Sequence, residues 1–80
     1  MSEGVFIPTR EALQKWAAAL RPDYAARTSS GAYFVLLTWR GDGGMLWAVG
    51  FSERDVGEAR EQAMKKIIEQ RWNSELGMML

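Results

Sequence analysis

Two apolar runs rich in aromatic and β-branched residues flank a glycine-rich turn, and this feature constrains the fold more than any other. Ala32-Tyr33-Phe34-Val35-Leu36-Leu37-Thr38-Trp39 and Met45-Leu46-Trp47-Ala48-Val49-Gly50-Phe51 lie on either side of Arg40-Gly41-Asp42-Gly43-Gly44. Such residues favour strands, and the three glycines supply the positive φ that tight turns need. The pattern predicts a β-hairpin. A lone hairpin is at best marginally stable in water, so the rest of the chain must cover it.

The flanking segments have helical period. Thr9 is placed as an N-cap, and Leu13, Trp16, Ala17 and Leu20 then recur at i, i+3, i+4 and i+7 within Arg10 to Arg21. Pro22 ends that helix, because it disfavours the helical conformation at Arg21 and has no N–H to donate. Asp23 to Ser30 reads as a loop. After the hairpin, Ser52 and Asp55 resemble a capping box, and the helix that follows runs to about Trp72. Its inward residues are expected to be Val56, Ala59, Ala63, Met64, Ile67 and Ile68.

These elements predict a single α+β domain over residues 1–80 with an αββα core, the hairpin packed on two helices. Both ends, Gly4–Ile7 and Leu76–Leu80, are apolar enough for short strands. If both pair with the hairpin, the order becomes the ferredoxin-like βαββαβ arrangement.

A five-residue loop over Arg40–Gly44 sets Trp39 opposite Met45, Leu37 opposite Trp47, Val35 opposite Val49 and Tyr33 opposite Phe51. These eight side chains share one face, which is expected to be core. Phe34, Leu36 and Thr38 then share the other face with Gly50, Ala48 and Leu46. Two short helices cover one side of a narrow sheet, which leaves the second face for a partner, a second copy or the Leu76–Leu80 tail. Phe34, Leu36, Thr38 and Leu46 are therefore the candidate protein-binding residues, with Arg40 and Asp42 as a polar rim at the hairpin tip. Trp16, Trp39 and Trp47 are assigned to the core. Trp72, beside Arg71, is either a binding anchor or a helix-end ring packed on the sheet.

Composition narrows the chemistry. The chain has no Cys and no His, so it offers no disulfide, Cys/His zinc site, thiol nucleophile or imidazole base. No cofactor is expected. Ten Lys+Arg balance ten Asp+Glu, so the basic footprint of phosphate binding is missing. The first residues show no basic n-region or long apolar stretch, and the run Ala32–Leu37 is far shorter than the roughly 20 residues that span a bilayer. No membrane contact is expected, and the chain is read as cytoplasmic.

Several motifs dissolve on inspection. Arg40-Gly41-Asp42 spells an integrin-adhesion tripeptide, but turn chemistry accounts for it. Gly41-Asp42-Gly43-Gly44 lacks the Lys of a phosphate loop and leads into a strand. The Asp55/Glu58 and Glu58/Glu61 pairs lie on a charged helix face without a second layer to form a pocket, and Ser29-Ser30 has no base to activate it. The chain is read as a non-enzyme.

Two resemblances extend this reading. Gly50-Phe51-Ser52 leading into a helix with Ala59 and Ala63 resembles the last strand-to-helix passage of double-stranded-RNA-binding domains over about 20 residues. The Lys-rich cluster of that family is replaced here by Glu53, Arg54 and Asp55. Nucleic-acid binding, using Arg10, Arg21, Arg27 and Arg40, is the alternative function this resemblance implies. Taken whole, the run Tyr33 to Trp39, the glycine turn, Met45 to Phe51 and the helix Glu58 to Ile68 resemble the strand–turn–strand–helix plan of small anti-CRISPR inhibitors of type I systems. That likeness covers about 40 residues and carries no diagnostic motif. It implies a phage or mobile-element inhibitor that occludes a subunit of a crRNA-guided surveillance complex and blocks target DNA recognition. A third class is a homodimeric structural protein in which the spare face pairs with itself.

Overall fold

A computed structural model of the protein describes residues 9–41 and 44–79. It is α+β, as the periodicity predicts, with the order α1 (Arg10–Ala19), β1 (Pro22–Arg27), β2 (Tyr33–Gly41), β3 (Gly44–Ser52) and α2 (Val56–Met79). The strands form one antiparallel sheet in the order β1-β2-β3. The hairpin thus has a third strand where a loop is expected. Proline is tolerated as the first residue of a strand, and Ala25, Ala26 and Arg27 pair with Val35, Phe34 and Tyr33. The edge that β2 offers overrides the weak strand propensity of these alanines.

Local chemistry sets the element ends. Thr9 caps α1, its Oγ1 accepting from the Ala12 N–H at 3.0 Å. The helix stops at Ala19, two residues before the expected end, and Leu20 is already extended (ψ 135°) on the way into β1. Between β1 and β2, the Thr28 N–H donates to Ala32 O at 2.7 Å, and Gly31 takes φ 93°, which favours glycine.

The hairpin register differs from the expected one by a single residue. Gly41 pairs with Gly44, so the connection holds two residues, not five, and Arg40, Trp39, Leu37 and Val35 face Met45, Leu46, Ala48 and Gly50. A one-residue shift moves every side chain of β3 to the other face. The inner face is therefore Tyr33, Val35, Leu37 and Trp39 with Ser52, Gly50, Ala48 and Leu46, while Met45, Trp47, Val49 and Phe51 point away from the helices. The reason lies in α2. A Cβ on Gly50 would come within 1.9 Å of Ala59 O and 2.5 Å of the Ala63 N. Only the smallest side chain fits under the helix there, so Gly50 and Ala48 face it and the aromatic residues of β3 cannot.

Both helices lie against this inner face. Leu13 and Ala17 of α1, Val35, Leu37 and Ala48 of the sheet, and Ala59, Ala63, Ile67 and Ile68 of α2 form the buried core, with Met64 packed beside it. Val56, expected to point inward, is 47% exposed. Arg60 ties the helices together, its Nη2 donating to Ala18 O and Leu20 O at 2.9 Å each. These are the free carbonyls of the last turn of α1, where a cation is favourable. Arg71, 8% exposed, lies over the rings of Trp39 (4.3 Å) and Trp16 (4.6 Å) and reaches Glu75 at 3.3 Å.

The cap of α2 also moves. Asp55, not Ser52, is the N-cap, with the Glu58 N–H donating to its Oδ1 at 2.8 Å. Ser52 ends β3, buried, and its hydroxyl accepts from the Arg54 and Asp55 N–H groups while donating to Glu58 Oε1 at 2.6 Å. Asp55→Ala is expected to cost about 1 kcal/mol, seen as a fall of roughly 4–8 °C in the thermal midpoint. No change would mean that Ser52 does the capping.

The second helix continues past Trp72 to Met79. Leu76–Met79 are therefore helical, neither a fourth strand nor a tail across the open face, which removes the C-terminal strand of the ferredoxin-like alternative. Gly4–Ile7 lie outside the described residues. Among the described residues, no helix is long and apolar enough to cross a membrane.

Candidate functional site

Among the described residues, no helix lies over the outer sheet face. Phe34, Leu36, Thr38 and Arg40 of β2 stand beside Phe51, Val49, Trp47 and Met45 of β3, each pair directly opposite. Trp47 is 57% exposed, Met45 55% and Phe51 54%. Phe34 and Phe51 form a tilted aromatic pair, 5.9 Å between centroids. At the other end of the strands, Leu36, Thr38, Trp39, Arg40, Met45, Trp47 and Val49 line an open depression of about 710 Å³. Large aromatic side chains half in water on a flat, rigid element are the composition of an interface centre.

A polar stripe on α2 closes the free edge of β3. Gln62 Oε1 accepts from the Phe51 N–H (3.1 Å), Lys66 Nζ donates to Val49 O (2.7 Å) and Gln70 Nε2 donates to Trp47 O (2.6 Å). The spacing follows from two repeats that nearly match. Four residues of α-helix rise about 6 Å and two residues of strand advance about 6.6 Å, so each successive helix position meets the next outward-turned backbone group. The residues anchored in this way, Trp47, Val49 and Phe51, are the ones whose side chains form the outer face. An edge strand ordinarily leaves such groups open to pairing with another chain; here three of them are occupied.

Of the residues expected at the site, Phe34, Leu36, Thr38 and Arg40 lie on the open face. Leu46 does not: the register turns it inward, where it packs against the core. Asp42 lies outside the described residues. Met45, Trp47, Val49 and Phe51, assigned to the core from sequence, belong to the site instead. Trp72 is half-buried against the core, with Arg10 5.1 Å over its ring and bonded to Glu69 at 2.6 Å.

Arg10, Arg27 and Arg40 of the nucleic-acid alternative do not form one patch. Arg10 is engaged by Glu69, and Arg27 packs over Tyr33 at 5.3 Å. Arg27 pairs with Tyr33 at one end of β2 and Arg40 stands seven residues along, a separation of about 23 Å. The carboxylates are likewise in use or dispersed. Asp55 caps α2, Glu58 accepts from Ser52, and among the described residues no three acidic side chains converge on a metal-sized site.

Fold and face together define a two-layer α+β domain with both helices on one side of a three-stranded sheet and an aromatic face on the other. Comparison of the chain with protein-family models, with curated protein sequences and with solved structures finds no match.

Proposed function

We propose that the protein is a non-enzymatic binding module that docks a protein partner on its outer sheet face. The observation that carries this reading is the exposure of Met45, Trp47 and Phe51, each more than half in water on a strand whose backbone α2 holds in place. Among the described outward residues of β2 and β3 there is one cation, Arg40, and no carboxylate, which suits an apolar protein surface with an acidic rim. The likeness to small type I anti-CRISPR inhibitors supplies the partner class, a subunit of a crRNA-guided surveillance complex whose recognition of target DNA is blocked by occlusion. Zero net charge supports occlusion of a protein surface over imitation of a duplex.

The double variant Trp47→Ser/Phe51→Ser tests the face. Both side chains lie outside the core, so cooperative unfolding is expected to persist. Wild-type protein is expected to retain a stoichiometric protein partner from bacterial lysate after nuclease treatment, and the variant to lose it. Retention by the variant would sink the proposed face. Added to a purified type I surveillance complex, wild-type protein is expected to weaken target-DNA binding at least tenfold, and unchanged DNA affinity would remove the inhibitor reading alone.

A second reading, nucleic-acid binding, draws on the order helix, three antiparallel strands, helix, which is what a likeness to double-stranded-RNA-binding domains implies. Glu53 and Asp55 at the start of α2 and the dispersed arginines weigh against it. Affinity for duplex RNA that falls steeply with salt would establish it.

A further inference from the structure

We infer that, without another partner, the open face is taken by a second copy of this chain, stacked sheet on sheet about a two-fold axis that swaps the ends of the strands. The inference rests on the docking role of this face and names an occupant for it.

The face is complementary to itself end for end. One end carries the aromatic pair Phe34 and Phe51, and the other carries Arg40 and Met45. A two-fold axis in the plane of the interface, perpendicular to the strands, sets Arg40 of each copy over Phe34 of the other and Met45 over Phe51. It also sets Trp47 over Val49, and Thr38 over Leu36. A guanidinium over an aromatic ring and a thioether beside one are both attractive pairings, and the symmetry makes each of them twice. The same operation keeps the two Arg40 side chains at opposite ends, so this charge does not meet its own copy. The chain as a whole has no net charge to oppose association.

Contact between copies edge to edge through β3 is obstructed by Gln62, Lys66 and Gln70, whose side chains occupy three of the backbone groups such pairing would use. Area sets the strength of the face contact. Three strands of up to nine residues present a face of about 14 by 30 Å, so the pair would bury roughly 800 Å² in total, the size of weak, transient contacts. A contact of that size holds in the micromolar range, weak enough for a better-fitting partner to displace it.

Sedimentation velocity on the full chain, over about 1 to 300 μM so as to span that affinity range, tests the inference. Wild-type protein is expected to pass from monomer to dimer and to go no further. Thr38→Lys, on the open face and outside the core, is expected to raise the dimer Kd at least tenfold without moving the thermal midpoint, and Arg40→Ala about tenfold by removing two ring contacts. The triple variant Gln62→Ala/Lys66→Ala/Gln70→Ala is expected to leave the face dimer in place. A wild-type protein that stays monomeric throughout overturns the inference, as does a dimer whose Kd ignores Thr38→Lys, which would place the contact at a sheet edge. In either case the docking role is judged separately, by whether Trp47→Ser/Phe51→Ser loses the captured partner.

Discussion

Gly50→Ala is expected to lower the thermal midpoint by roughly 10–20 °C, a severe loss for one methyl group. The added Cβ would stand 1.9 Å from Ala59 O, 2.5 Å from the Ala63 N and 2.9 Å from Gln62 Cβ. Two of those atoms are helix backbone, which cannot rotate aside. The whole of α2 would have to lift from β3, loosening Ala59, Ala63 and Ile67 in the core at the same time. Overpacking usually costs about 1–3 kcal/mol, and a clash with rigid backbone belongs at the upper end. Gly44→Ala is the control. Gly44 takes φ 132° with nothing within 4 Å of the added methyl, so it meets backbone strain of about 1 kcal/mol and no packing clash. The pair of variants also decides the hairpin register. With a five-residue loop Gly50 would lie on the open face, where a methyl group meets only water, and Gly50→Ala would then melt within a few degrees of wild type.

Arg71→Ala is expected to cost about 3 kcal/mol, measured by urea unfolding. The guanidinium lies 4.3 Å and 4.6 Å from the centroids of Trp39 and Trp16, which meet edge to face at 5.3 Å and 83°. Truncation would leave a void between two indoles and take the buried partner from Glu75. Arg71→Met separates the two effects, because it restores most of the stem volume without the charge. About half the loss is expected to return. Arg71→Lys is expected to do less well than its charge suggests, since an ammonium lacks the planar face that stacks on a ring. A cost below about 1 kcal/mol for Arg71→Ala would mean that the two indoles close over the gap unaided.

How far the fold could be read from the sequence depended on the range of the interaction involved. Both helices and both hairpin strands were legible, because their period and their Pro and Gly boundaries are local. The strand Pro22–Arg27 was not: its alanines carry little β signal, and only pairing with Phe34 and Val35 makes them a strand. The start of α2 shifted for the same reason. Ser52 looks like a cap in one dimension, but its hydroxyl is held by Glu58 inside the fold, which leaves the cap to Asp55.

The site was half legible. Phe34, Leu36 and Thr38 were placed on the open face correctly because β2 alternates as expected, and Arg40, read as part of the turn, belongs to β2 and joins them, whereas β3 was turned over. The sequence did hold the signals for the right register. Asp42-Gly43 is a dipeptide favoured in two-residue hairpin connections, and Ala48 with Gly50 marks the side of β3 that a helix approaches closely. Matching large apolar residues across the strands outweighed both, and it assigned Trp47 and Phe51 to a core that has no room for them. The polar stripe of α2 was out of reach of such reasoning, since Gln62, Lys66 and Gln70 look like ordinary solvated positions until the helix is laid along the strand.

That stripe also fixes the valency of the sheet. Strands that polymerise by edge pairing need two free edges, one to receive a neighbour and one to offer to the next. With one edge of this sheet occupied by its own helix, edge pairing could join two copies through β1 but could not propagate. The proposed contact through the outer face would be closed by its two-fold symmetry in the same sense. For edge pairing alone, Gln62, Lys66 and Gln70 act as a chain terminator built into the monomer.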